Sequence, residues 1–126
     1  MDERELQYEA LKDGADYALR LVPAIREILP ELRGDMQEDT EDFKNQIFEG
    51  INYIVGIVNG TLPLINEKEI ILNSAGIEEK MQQLIKSVDN KDNAEIATAL
   101  EEGILPFVEI FYQVAMIMVK AHESKA

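Results

Sequence analysis

Along the first segment of the chain, apolar side chains return in steps of three and four. Tyr8, Leu11, Ala15, Ala18, Val22, Ile25, Leu29 and Leu32 form one stripe, widened by Leu21 and Ile28. That period places them on one face of a helix. Asp2 or a neighbour stands where a cap is needed, and Pro30 and Gly34 mark the end. Ile47, Ile51, Ile54, Val58, Thr61 and Ile65 continue as a second stripe. Ile77, Met81, Leu84 and Val88 predict a shorter third helix, capped by Asn73 or Ser74. Ala97, Leu100, Ile104, Phe107, Phe111, Val114 and Met118 predict a fourth, with Asp92 as its cap. The connection 66–76 has room for a helical turn at Ile70–Leu72. Four stripes joined by short polar connections predict an all-α antiparallel four-helix bundle over residues 1–120, followed by a flexible polar tail at 121–126.

Prolines fall inside these patterns at Pro23, Pro63 and Pro106. Each lacks an amide donor and crowds the carbonyl four residues earlier, at Leu19, Asn59 and Glu102. The stripe resumes beyond Pro23 and Pro106, so kinked helices are expected there, with Pro63 in the last turns of the second helix. An echo also links the first two helices. Gly14, Tyr17 and Val22 recur 36 residues later as Gly50, Tyr53 and Val58, and the buried stripes align at the same offset. Two helices meeting the same packing demand explain the match, with small Ala15 and Ala18 opposing large Ile51 and Ile54. An old duplication is the alternative.

Charge narrows the possible partners. The chain has 12 basic and 25 acidic residues, a formal net charge of −13, and no cluster of Lys or Arg. Nucleic acid and anionic membrane surfaces are therefore poor partners. No Cys is present, which removes disulfides, thiolate metal sites and cysteine nucleophiles. The N-terminus is charged rather than basic then apolar, unlike a signal peptide, and a cytoplasmic location is expected. The acidic run at 35–42 lacks the alternating ligands and turn glycine of a calcium loop. It reads as a helix start, with Asp39 or Thr40 as cap and Glu41 and Asp42 in the first turn.

Candidate chemistry is sparse. The single histidine, His122, falls in the expected tail, and no Glu-x-x-His pair or phosphate-binding glycine loop occurs. Glu101, Glu102 and Glu109 fall off the fourth stripe, as Asp16, Glu27 and Glu31 fall off the first. Solvated carboxylates have nothing to raise their pKa or gather a metal, so no catalytic, cofactor or metal residue is assigned.

The unusual feature is a shortage of polar surface on two helices. Residues 50–66 carry no charge, and residues 103–119 carry only Glu109. The runs fall just short of a membrane span, and Asn52, Asn59 and Glu109 would be costly in one. A contact beyond the chain is expected instead, with Tyr53, Gly56, Gly60, Val108, Tyr112, Ala115 and Ile117 as candidate interface residues. The expected function is a non-enzymatic protein–protein interaction protein that self-associates through its second and fourth helices. A monomeric adaptor or export-type chaperone receiving a client's amphipathic helix is an alternative, as is a carboxylate-based metal protein.

The fourth helix also carries a resemblance. Asp92, Leu100 with Glu101, Leu105 with Pro106, and Glu109 with Phe111 resemble a recurring element of small, acidic, all-helical, uncharacterised proteins of low-GC Gram-positive bacteria. Gly14 and Tyr17 extend the likeness to the first helix. The resemblance implies a four-helix fold and brings no activity with it. Gly103 stands where an acid is usual in that family and Phe111 where Trp is usual.

Overall fold

In the computed structural model, which describes residues 2–125, the Asp2 carboxylate accepts the Glu5 amide at 2.8 Å and starts α1, Glu3–Leu32. Its capping oxygen satisfies one of the amides that a helix start leaves unpaired. Pro23 and Pro30 both lie within α1. The helix closes at Arg33, whose amide reaches the Leu29 carbonyl, and Gly34 then turns the chain at φ +130°. That backbone region strongly favours glycine.

The second helix, α2, is Thr40–Ile65, with Pro63 in its last turn. Neither expected residue caps it through a side chain. Asp39 makes no such bond, and the buried Thr40 hydroxyl accepts the Gln37 amide at 2.8 Å and donates to Glu31 at 2.7 Å. Thr40 thus ties the acidic turn back to α1. Asn66 organises the next connection. Its side-chain oxygen accepts the amides of Ile71 and Leu72, and its amide donates to the Leu72 carbonyl. Held this way, Ile70–Leu72 does not form the expected helical turn, and Leu72 is buried while Ile70 is 80% exposed.

Asn73 caps α3, Ser74–Asp89, by accepting two amides, and Asp92 caps α4, Asn93–Ser124. Within α4 a π turn spans Leu100–Ile104, where the Leu105 amide bonds back to the Leu100 carbonyl, five residues earlier. Pro106 follows at once and can supply no amide of its own. A π turn takes up one more residue than an α turn. Downstream, Leu105, Phe107, Val108 and Phe111 are buried, followed by Ala115 and Val119, the last two each one residue beyond the expected Val114 and Met118.

Among the described residues there are four helices and no strand. α1 packs along both α2 and α4, and α3 packs on the start of α4 and the π turn. The start of α1 meets the ends of its neighbours: Arg4 pairs with Glu67, and Glu5 with His122. Its end meets the middle of α4 through Arg26–Glu109 and Arg33–Glu101. Leu11, Ala18, Ile25 and Ile28 of α1 are fully buried with Ile54 and Val58 of α2 and Leu100 and Phe111 of α4. Each buried Leu or Ile contributes about 1.5–3 kcal/mol of apolar burial.

Residues 121–124 of the expected tail are helical. α4 continues through Ser124, His122 stacks on Tyr8, centroids 3.7 Å apart and planes at 5°, and Lys12 pairs with Glu123. Ala126, the last residue of that expected tail, lies outside the described residues.

Candidate interaction surface

The outward face of α2 is built from what its sequence omits. Nothing lies within 4 Å of a Cβ added at Gly56 or Gly60, so both glycines open to solvent rather than to a neighbour inside the chain. Tyr53, one turn earlier, is 45% exposed. The Tyr17 ring meets it edge-on, centroids 5.1 Å apart, and so holds it from behind. Leu6 and Gln7 of α1 form the opposite wall of a shallow trough whose floor is Gly56, Ile57 and Gly60.

The other two glycines of α1 and α2 work inward. At Gly14 an added Cβ would come within 2.9 Å of the buried Phe111 ring and 3.1 Å of Ile57, and at Gly50 it would strike the Tyr17 ring. The 36-residue echo therefore lands on two close approaches. They are not equivalent, because Tyr17 covers Gly50 whereas Ile57 and Phe111, not Tyr53, cover Gly14.

The expected residues of the fourth helix divide. Val108 and Ala115 are both fully buried, so neither belongs to the surface of the folded chain. Beyond the π turn the core side takes in Phe107, Val108, Phe111 and Ala115 together, so this pair adds to the buried face. Tyr112 is half-buried against the core. Ile117 is 70% exposed, but it lines a separate cleft with Tyr8, Ile71 and His122. The seven expected residues therefore do not form one surface. The exposed Leu6, Ile70, Ile71 and Ile85 had not been anticipated. Leu6 and Ile85 lie just off their stripes, which was the available signal, whereas the exposure of Ile70 follows from the Asn66 bonds.

The residues that carried the family resemblance hold helices together. Asp92 accepts the Glu95 amide at 3.1 Å, and Leu100, Leu105 and Phe111 are core. Glu109 pairs with Arg26 at 2.9 Å, and Glu101 takes both Arg33 nitrogens at 3.0 and 3.3 Å. Hydrogen bonding from Arg33 and then its charge hold Glu101 below the usual carboxylate range, as Arg4 does for Glu67. These are exposed structural pairs. Among the described residues no three His, Asp or Glu side chains gather as a metal site would need, which lends the carboxylate-metal reading no support. By length and composition alone α4 could cross a membrane, yet here it lies along α1, its Glu109 joined to Arg26 of that helix and its Glu101 to Arg33 at the helix's cap.

An all-helical protein of four helices, with apolar openings on its surface, is the class these features define. The chain belongs to the family described as Domain of unknown function (DUF8042), whose model matches residues 9–114. No curated protein and no solved structure matches the chain. The matched span contains Tyr53, Gly56 and Gly60 and leaves out Ile117 and His122.

Proposed function

We propose that this protein is a non-enzymatic interaction module, an antiparallel bundle that self-associates through the outward face of α2. The observation that carries the reading is the open space over Gly56 and Gly60 beside exposed Tyr53 and Leu6. Two such faces can cross with little side-chain bulk between them, near the short end of the interaxial range of about 8–10 Å. Charge favours the same face. A chain of −13 repels its own copy, and the run at 50–66 has no charge with which to do so. The fourth helix contributes through its packing against α1, and its buried Val108 and Ala115 are not part of the contact.

Light scattering coupled to size exclusion, over a range of concentrations at low and high salt, tests this. The parent is expected to dimerise, more strongly at high salt as repulsion is screened. Gly56→Leu should shift it to monomer with unchanged far-UV helicity, and Ile117→Glu, in the other cleft, should leave association as it was. A parent that is monomeric throughout, or a Gly56→Leu variant that associates like the parent, would overturn the reading.

A further inference from the structure

The apolar stripe of α3 is only half used. Ile77 and Leu84 are buried, but Val88 of the stripe and Ile85 beside it are exposed, since α3 packs chiefly on α4. A slot of about 260 Å³ is left between α2 and α3, walled by Phe48 and Ile51 on one side and by Met81, Leu84, Ile85 and Val88 on the other. We propose that this slot is a docking site for a basic amphipathic helix of another protein.

Three features define the occupant. The wall residues from Met81 to Val88 run for two helical turns, about 10 Å, which matches apolar residues at i, i+3 or i+4 and i+7 of a helix laid alongside. Both walls are helices whose backbone groups are already paired. An extended segment would bury its own amides and carbonyls without partners, whereas a helix satisfies them internally. The rim is acidic. Asp89 lines the slot, and Glu78 falls on the same face of α3 by helical spacing, three residues before Met81 and seven before Ile85. Lys44 and Glu41, on the first turns of α2, pair with each other at 2.9 Å and add no net charge, and Lys80 and Lys86 face the opposite groove, between α3 and α4. Basic residues flanking the apolar face of the incoming helix therefore complement the rim, while a second copy would bring another −13 to it. Met81 adapts the floor to differently shaped side chains. The slot is separate from the Gly56–Gly60 face, sharing only Asn52 at its border, so each proposal stands or falls alone.

The test uses a fluorescent peptide of about 16 residues, Leu on one helical face and Lys elsewhere, with a scrambled peptide of the same composition. Anisotropy titrations compare the full-length parent with Val88→Glu and with Gln83→Glu. Both variants add one negative charge, but Gln83 faces the opposite groove. Val88→Glu is expected to weaken binding about tenfold or more, while Gln83→Glu matches or slightly exceeds the parent. Ile85→Ser, which adds no charge, should also weaken binding, and keeps the test available if Val88→Glu fails to fold. Equal binding by Val88→Glu and Gln83→Glu would reduce the interaction to bulk attraction and overturn the proposal. So would equal affinity for the scrambled peptide, or a parent Kd weaker than about 1 mM.

Discussion

At the scale of single residues, the glycines separate into two kinds that their sequence positions do not distinguish. Gly14 lies against the Phe111 ring, and Phe111 is itself fully buried and has nowhere to move. Gly14→Ala should therefore destabilise the fold by about 1–3 kcal/mol through overpacking. Gly56 is a helix-interior glycine with open space beside it, and Gly56→Ala should stabilise the monomer by about 0.5–1 kcal/mol through backbone entropy. Urea unfolding of both variants at low protein concentration checks this pair of opposite signs. By their spacing alone, Gly56 and Gly60 could serve close packing within the chain or outside it. Periodicity cannot choose between them, since that depends on which neighbour stands opposite, and the structure leaves that side open.

At the scale of elements, the stripes of α1 and α2 and the caps Asp2, Asn73 and Asp92 were legible because each rests on local spacing. What was not legible is the π turn of α4. A stripe count assumes a constant number of residues per turn. Beyond the π turn Phe107 and Phe111 of the expected stripe are still buried, but Val108 and Ala115 are buried with them and Val119 takes the place expected for Met118. A sharp expectation follows for deletions. Removing Gly103 should convert the π turn to an α turn while keeping Phe111 and Ala115 facing α1. Removing Val55 from the middle of α2 should rotate half of that helix out of the core. Circular dichroism and thermal melts should show cooperative unfolding for the first, weakened by at most about 3 kcal/mol, and no cooperative fold for the second. The Arg33–Glu101 clamp gives a pH signature on the same element. Its carboxylate has a lower pKa folded than unfolded, so its contribution is full above the ordinary carboxylate range and is lost as pH falls through the lowered value. Glu101→Gln should be less stable than the parent near neutral pH, with the two unfolding curves converging in acid.

At the scale of the whole molecule, helix number, acidity and the surplus of apolar surface could all be read from the sequence. The location of the surplus could not, because it depends on how far α3 stands from α2 and on which way α4 is turned. The surplus was assigned to α2 and α4, and the structure divides it between the Gly56–Gly60 trough, the α2–α3 slot and the Ile117 cleft. The stacked Tyr8 and His122, with Lys12–Glu123 beside them, have a further geometric consequence. Together with the Glu5–His122 pair they set the opening turns of α1 beside the last turn of α4, so whatever is attached at either end leaves from the same pole. Joining the two by a short Gly-Ser bridge and reopening the chain within 67–70 should give a circular permutant with native helicity. Its backbone would pass through the same four helices in a new order, and an unfolding curve like that of the parent would show that the order of synthesis is immaterial to the packing.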